Sequence, residues 1–244
     1  MKKSFLTPTC IALLVTTPVG VAAAQARSQS GWEFELTPYL WTSSLEGDVG
    51  VRGRTTEVDL SFSDIVDVLN FGLLLNLEGR KGRWGFDIDS VYLKLSDEKL
   101  TPAVGVEGEV RQLFLIPTVT YRFARGTDAL AGVLVTSIDT RLRFGATRGS
   151  VQLDDDKTWV DPMIGVRKIF PLTDKWQLSL RGAIGGFGVS SDFVWGAVAD
   201  ARYQINETVA LRFGYRHLDI DYEDDGFTFN TSLDGLALGI GFKF

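Results

Sequence analysis

Apolar residues alternate with polar ones along nearly the whole chain. In the segment 71–80, one set comprises Phe71, Leu73, Leu75 and Leu77, and the opposite set includes Asn76, Glu78 and Arg80. The same alternation recurs in 84–92, 111–123, 176–182 and 209–216. Side chains alternate between the two faces of a β-strand, so this period predicts strands. The pattern therefore indicates an all-β protein.

The length of the alternating segments and the position of their aromatic residues favour a membrane barrel over a soluble sandwich. The segments run to roughly 10–16 residues, enough to cross a bilayer at a tilt, whereas sandwich strands are usually shorter. Aromatic residues, which membrane interfaces enrich, lie at or near the predicted strand ends: Trp32, Tyr39, Trp41, Trp84, Tyr92, Tyr121, Phe123, Phe144, Trp159, Phe170, Trp176, Trp195 and Tyr203. We predict an antiparallel up-and-down transmembrane β-barrel of about ten strands, with eight or twelve as alternatives.

Turn signals divide the chain into hairpins. Tight connections are predicted at 80–83, 124–128, 171–175 and 205–208, and longer loops at 42–69, 97–109, 145–158, 189–192 and 223–228. The predicted strands are 32–41, 70–80, 84–96, 110–123, 129–144, 159–170, 176–188, 193–205, 209–222 and 229–244. An even number of strands brings both termini to the side of the tight turns.

The N-terminal segment has the pattern of a secretory signal peptide. Lys2 and Lys3 precede an apolar stretch, and Ala24 and Ala26 form a small-residue cleavage site. We expect residues 1–26 to be removed, leaving 27–244 as a single domain. Loss of the two lysines would change the formal net charge from −6 to −8. So acidic a chain is a poor candidate for binding nucleic acid.

The final strand resembles those of the bacterial outer-membrane β-barrel proteins. Leu238, Ile240, Phe242 and the terminal Phe244 match the alternating, Phe-ended signature of that superfamily. The segments LTPYLW, GGFG and GYRHLDIDYEDDGF resemble those of its small porin-like members, of the OmpA and OmpW type. The resemblance implies an outer-membrane location with periplasmic termini. It also implies that Phe242 and Phe244 form a signal read by the barrel-assembly machinery.

A barrel of this kind should carry its polar residues inside. The charged residues on or near inward parity are Glu78, Asp87, Asp89, Arg122, Asp139, Arg141, Asp161, Arg167, Arg181, Asp200, Arg202, Arg212 and Arg216. Because both signs are represented, we predict an ion-pair network filling a narrow lumen. Glycines at inward parity are expected to leave local space for water or a small solute: Gly165, Gly185, Gly214, Gly239 and Gly241.

The longest loop, 42–69, is predicted to hold structure of its own. Thr55–Ser61 has the pattern of an extra strand, and Ser63–Leu69 that of a short helix. The loop is interpreted either as a plug in the barrel mouth or as a flap outside it. If its first half forms a membrane hairpin, the barrel has twelve strands.

Candidate catalytic and metal-binding residues are few. His217 is the only histidine; a lipid-modifying hydrolase would need Asp219 or Asp221 to orient it and a serine such as Ser90 or Ser137 to attack. Acidic runs at 154–156 and 219–225 suit hard cations but do not have the spacing of an EF-hand. We predict a non-enzymatic protein without cofactor or metal, acting as a narrow porin-like channel or as a structural, surface-interaction protein. Its expected partners are outer-membrane lipid, lipopolysaccharide, the assembly machinery and a small solute.

Overall fold

The computed structural model describes residues 31–51, 53–97, 106–146 and 149–244. It contains twelve strands: β1 (Glu33–Trp41), β2 (Ser44–Val51), β3 (Arg54–Leu60), β4 (Leu69–Lys81), β5 (Trp84–Asp97), β6 (Val106–Ala124), β7 (Thr127–Ala146), β8 (Gly149–Pro171), β9 (Trp176–Gly186), β10 (Phe193–Gln204), β11 (Val209–Asp224) and β12 (Phe227–Lys243). One short helix, α1 (Phe62–Val68), joins β3 to β4. The predicted signal peptide, residues 1–26, lies outside the described residues.

Ten of the strands form a closed ring, which confirms the predicted up-and-down barrel. The order is β1, β4 to β12 in sequence, and back to β1, with every pair antiparallel. Closure gives every strand of the ring two neighbours, as hydrocarbon surroundings require of a spanning sheet.

The extra hairpin lies outside this ring. β2 continues the course of β1 and pairs with the upper part of β12, and β3 pairs with β2. The predicted strand and helix within 42–69 are therefore present. The twelve-strand barrel is wrong, because β2 and β3 extend the sheet without widening the ring.

The two ends of the barrel differ in their connections. Four short connections lie at the end where the termini meet, here called the turn end. The opposite end, the loop end, carries the connection that holds β2 and β3, the connection 187–192, and a two-residue turn at Asp225–Gly226 between β11 and β12. Gly82 and Gly126 have φ of 59° and 64°, a left-handed conformation that suits two-residue hairpin turns. At the loop end, β8 begins at Gly149 and pairs with β7 throughout. The predicted loop 145–158 is thus mostly strand. Its acidic run was interpreted as a loop although strand β8 continues through it.

Alternate residues face the lumen and the outside. On β12, the outward set Leu236, Leu238, Ile240 and Phe242 is 43–61% exposed, whereas the inward Phe229 and Leu233 are buried. Ring pairs such as Trp84 with Tyr121 and Trp176 with Tyr203 lie on the outer face near the turn end. Trp195 and Phe71 lie on it toward the loop end. The outer face is therefore an apolar band with aromatic residues near both ends.

Three of the aromatic residues expected at the interfaces point inward instead. Trp41 and Trp159 are 7% and 4% exposed and belong to the buried core, against which Tyr39 packs. Each has inward parity on its strand, so its position near a strand end does not place it in a girdle. Within the described residues, no helix is long and apolar enough to cross a membrane.

Candidate functional site: the barrel lumen

The turn-end half of the lumen holds ion pairs that reach across the barrel. Arg167 on β8 lies 3.0 Å from Glu78 on β4, although three strands separate them around the shorter side of the ring. Glu78 also pairs with Arg212 of β11 at 3.2 Å. Arg212 in turn lies 3.4 Å from Asp200. These contacts tie opposite walls together through the centre of the lumen.

Two further pairs cross the lumen nearer its middle. Arg181 of β9 donates to Asp87 of β5 over 2.8 Å, and Asp87 is 1% exposed. Arg216 of β11 lies 2.5 Å from Asp89 of β5 and also donates to the Tyr39 hydroxyl. The Tyr39 hydroxyl itself donates to Asp89 over 2.6 Å. Buried carboxylates here keep their charge because each has a charged, hydrogen-bonding partner.

Several members of the network were missed by the sequence reasoning. Asp128, fully buried, accepts hydrogen bonds from Arg80, Arg122 and Arg167. Glu35 pairs with Arg202 at 2.8 Å. Asp128 and Glu35 lie near the starts of β7 and β1, outside the clearly alternating parts of these strands. The sequence pattern therefore did not include them among the lumen residues. The parity that they share with Leu130 and Thr37 would have placed both inside.

The loop-end half of the lumen is filled by an apolar core. The ring of Trp159 stacks on Tyr222 with a centroid distance of 3.9 Å, and Phe227 and Phe229 pack edge-on against Trp159. Phe114, which is 1% exposed, belongs to the same buried cluster. Packed aromatic and aliphatic side chains leave little room for water in this half. The sequence predicted ion pairs filling a narrow lumen, whereas most of the filling in this half is aromatic and aliphatic.

The connection between β9 and β10 enters this core. Ser191 is fully buried; its backbone N–H and hydroxyl both donate to the carboxylate of Asp161, over 2.7 and 2.6 Å. Trp159 donates its indole N–H to the Ser191 hydroxyl over 3.1 Å. Asp161 thus lies inside the barrel as predicted from parity, but it anchors a loop.

All but two of the predicted lumen residues lie at inward positions. These are Glu78, Asp87, Asp89, Arg122, Asp161, Arg167, Arg181, Asp200, Arg202, Arg212 and Arg216. Asp139 and Arg141 have the opposite parity from the buried Thr136 and Ile138 and so face outward, which corrects their assignment. They join Glu109, Arg111 and Lys94 in an outward row of ion pairs on β5 to β7. Their alternating charges resemble those of the lumen residues, but on β7 it is the even-numbered side chains that face the lumen.

The remaining space inside the barrel is divided. A vestibule of about 570 Å³ opens at the turn end between Trp32, Glu35, Arg80, Arg202 and Phe244. Beyond the first ion pairs lies a cavity of about 100 Å³, and another of about 50 Å³ lies beside Met163 and Leu218. Two of the inward glycines, Gly214 and Gly239, line the cavity of about 100 Å³. A Cβ at Gly214 would overlap the backbone of Ala199, and one at Gly241 would meet the Glu35 side chain. Gly214 and Gly241 therefore permit a close approach of neighbouring strands and side chains.

His217 lies on the outer face of β11. Its Nδ1 is 2.6 Å from Asp234 of β12, and its ring lies 4.0 Å from that of Trp195. Asp234 also accepts hydrogen bonds from Tyr215 and Ser232. The carboxylate beside His217 is therefore Asp234, which corrects the expected Asp219 or Asp221.

The serines proposed for the hydrolase are not brought to His217. Ser137 on β7 is hydrogen-bonded to Thr158, and Ser90 lies on β5; neither strand neighbours β11 in the ring. Ser232 bonds to Asp234, but no hydrogen bond joins it to His217 in the described structure. A nucleophile activated by His217 has no counterpart among these contacts.

A surface ion pair links the walls at the loop end. Lys157 of β8 donates to Asp224 of β11 over 3.0 Å, and this hydrogen bond raises the pKa of the Lys157 ammonium. On the outward row, the hydrogen bond from Lys94, followed by the charge of Arg111, lowers the pKa of the Glu109 carboxyl despite partial desolvation.

Among the described residues, no three His, Cys, Asp or Glu side chains gather as a metal site would require.

Comparison with known proteins gives structural likeness only. No protein-family model and no curated protein matches the sequence. The outer-membrane protease OmpT of Escherichia coli is similar in structure, with 7% identity, a TM-score of 0.48 and coverage of 89% of this chain and 98% of OmpT. Ail, the attachment invasion locus protein of Yersinia pestis, has 11% identity and a TM-score of 0.38 over 88% of this chain and 99% of Ail. The toluene transporter TodX of Pseudomonas putida has 12% identity and a TM-score of 0.34, covering 91% of each chain.

These scores carry no argument about activity, and the three proteins differ in what they do. The assignment rests on the closed strand pairing and on the apolar outer band of this chain itself. By these features the chain has the fold of the bacterial outer-membrane β-barrel proteins.

Proposed function

We propose that this protein spans the bacterial outer membrane as a structural or surface-interaction barrel whose lumen is closed. The observation that carries the proposal is the filling of the lumen: ion pairs cross its turn-end half, and the stack of Trp159 on Tyr222 fills its loop-end half. A barrel of ten strands is close to the size at which side chains fill the interior. We expect no catalytic activity: His217 faces outward and is bonded to Asp234, and no serine or other nucleophile is hydrogen-bonded to it within the described residues.

The surroundings of the barrel follow from its outer face. The apolar band suits hydrocarbon, and the aromatic residues near both ends suit the interfaces. The end that carries the tight turns and the termini faces the periplasm, by analogy with barrels of even strand number. Arg111, Arg141 and Lys94 lie on the outward row just beyond the apolar Leu113, where they meet the phosphates of lipopolysaccharide.

The test begins with where the protein is found and whether it is a barrel. The full chain is expressed in Gram-negative cells and the membranes are separated by density. We expect recovery in the outer-membrane fraction and faster gel migration before heating than after. Recovery in the soluble fraction, with no effect of heating on migration, would refute the membrane barrel.

Single-channel recording then tests the closed lumen. The purified protein is inserted into planar bilayers, and we expect no discrete conductance steps across a wide range of positive and negative voltages. Reproducible steps would contradict a closed lumen and favour the narrow channel.

A gated narrow channel is the second candidate, and the vestibule favours it. About 570 Å³ of open space leads from the turn end to Glu35 and Arg202. Only movement of the ion pairs beyond it would admit a small solute. Steps that appear only at high voltage would support this candidate.

A further inference from the structure

The wall of the barrel has a gap between β1 and β4. The two strands pair from Glu33 with Arg80 to Pro38 with Leu75, and the pairing stops there. β1 runs on to Trp41 beside β12, and the first part of β4 lies beside β5 alone. We call this gap, between 39–41 and 69–74, the seam.

Local features explain why the wall parts at this level. Pro38 has no backbone N–H, and the pairing of β1 with β12 also omits Thr37 and Pro38. Beyond Trp41 the chain follows β12 as β2, so it moves away from β4. The pairing ends near the level of Leu73, which is in register with Tyr92 and through it with Leu113, at the loop-end edge of the apolar band. The seam therefore opens at the membrane interface.

The outer margins of the seam are apolar and exposed. Leu40 on β1 is 69% exposed, and Phe71 and Leu73 on β4 are 52% and 45% exposed. Leu40 and Leu73 would be cross-strand partners if the register of β1 and β4 continued by two residues. An alkyl chain from the bilayer can lie between them.

The inner side borders the cavity of about 100 Å³. Thr37 and Asn76, a cross-strand pair one step below the seam, both line this cavity. The Thr37 hydroxyl and the Asn76 carbonyl oxygen are buried and have no hydrogen-bond partner, and Thr37 is only 3% exposed. Buried polar groups are seldom left unpaired. These two atoms are therefore positioned for a ligand that supplies hydroxyl groups.

The charges around the cavity define what that ligand carries. Each charged residue that lines it is already in an ion pair: Glu78, Asp87, Asp89, Arg167, Arg181, Asp200, Arg212 and Arg216. A charged headgroup would disturb these ion pairs. An uncharged headgroup can instead bond to the Thr37 and Asn76 oxygens, which have no partner. A volume of 100 Å³ corresponds to roughly three waters at about 30 Å³ each, which suits a head of glycerol size.

We propose that the seam admits a single-chain, uncharged amphiphile of the monoacylglycerol class from the membrane. Its hydroxyl groups bind Thr37 and Asn76, and its acyl chain leaves through the seam between Leu40 and Leu73. The proposal rests on the membrane placement proposed above and adds a ligand site to it. It requires no conducting lumen.

Binding is measured by native mass spectrometry of the mature protein, residues 27–244, in detergent micelles, with monooleoylglycerol, oleate and glycerol as probes. We expect monooleoylglycerol to bind, and oleate and glycerol to bind at least tenfold more weakly. Thr37→Val, which keeps shape and removes the hydroxyl, should weaken binding about three- to tenfold. The matched control is Thr136→Val, whose hydroxyl is also buried and unpartnered but lies outside the cavity lining, and it should bind like the wild type.

A cysteine pair tests the route. Leu40→Cys with Leu73→Cys is bridged by a short bis-thiosulfonate reagent, because parted strands lie too far apart for a direct disulfide; bridging should abolish binding that reduction restores. Leu36→Cys with Leu77→Cys, already register partners below the seam, should bind in both states. Binding that survives the closed seam, equal binding of oleate, or an unchanged affinity of Thr37→Val would overturn the proposal. Heat-dependent gel migration of the same samples reports the barrel separately, so loss of the ligand site is distinguishable from loss of the membrane fold.

Discussion

Arg167 on β8 reaches across the lumen to Glu78 on β4, with its Nη1 3.0 Å from the carboxylate, and holds Asp128 with its other nitrogens. The side chains of Arg167, Glu78 and Asp128 are 7%, 26% and 0% exposed, so all three are largely or wholly buried. The arrangement fixes walls that the sequence separates by 89 residues. It also closes the lumen at the point where the vestibule ends.

Arg167→Met should destabilise the barrel by about 3–5 kcal/mol, because it leaves buried carboxylates with fewer partners. The measurement is urea unfolding in lipid vesicles, followed by tryptophan fluorescence. Arg125→Met, at an exposed turn position, is the control and should change the free energy of unfolding by less than about 0.5 kcal/mol. In a double-mutant cycle, the loss from Arg167→Met with Glu78→Gln should fall short of the sum of the single losses. Strict additivity would show that the two residues are not coupled.

Trp159→Ala should open the loop-end half of the lumen. It removes the stack on Tyr222 and the bond to Ser191, and a buried Trp replaced by Ala costs about 3–5 kcal/mol. We expect a lower urea midpoint, together with larger or more frequent current steps if the turn-end ion pairs also yield. Trp84→Ala is the comparison, since Trp84 is 57% exposed on the outer face. A variant as stable as Trp84→Ala would argue against the core described above.

Replacing residues 43–68 by a short Gly-Ser linker should leave the ring intact. The ring closes through β1 with β12 and β1 with β4, and the hairpin pairs only with the upper part of β12 and packs Leu45 and Val49 on the core. We expect a heat-modifiable barrel with a reduced urea midpoint, because Leu45 and Val49 no longer pack on the core. Bilayer recordings should stay silent, since barrel residues fill the lumen. Large steps in this variant alone would identify the loop as a plug.

Glu109 should give stability that is lost in acid. Its pKa is lowered in the folded protein, chiefly by the hydrogen bond from Lys94, so its contribution is complete above the unfolded value near 4.3. It disappears as the pH falls through the lower folded value. Because the pairs are about one-third exposed, the contribution is about 0.5 kcal/mol. Urea midpoints of the wild type and Glu109→Gln should differ at pH 7 and converge as the pH falls below the lowered pKa of folded Glu109; a difference that grows in acid would reverse the sign.

Phe244 should matter more for assembly than for the finished barrel. Its backbone exchanges hydrogen bonds with Phe34, and the two rings stack at 5.7 Å, so it completes the closure of β12 on β1. Phe244→Ala is expected to slow insertion into the outer membrane several-fold in a pulse-chase assay. Leu236→Ala, on the same outward row and more exposed, is the control and should insert at the wild-type rate. Equal rates for all three proteins would remove Phe244 as an assembly signal.

The sequence alone was sufficient for the parts of this structure that depend on local period. Alternation placed the ten ring strands and the inward Arg212 and Glu78, and turn chemistry placed the hairpin ends at Gly82 and Gly126. Each of these follows from neighbouring residues, because strand parity repeats every two positions. Where charged residues interrupted the apolar pattern, as at Asp139 and Arg141, the same reasoning assigned side chains to the lumen that face outward in the structure.

Only the tertiary structure decided which residues meet inside the barrel. The pairing of Arg167 with Glu78, the filling of one half by Trp159 and Tyr222, and the seam above Pro38 depend on closure of the ring. Closure and stagger set the distances between strands that are not neighbours. Period-two alternation carries no information about those distances. The sequence therefore determined which side of the wall each residue faces, and the closed ring determined what it finds there.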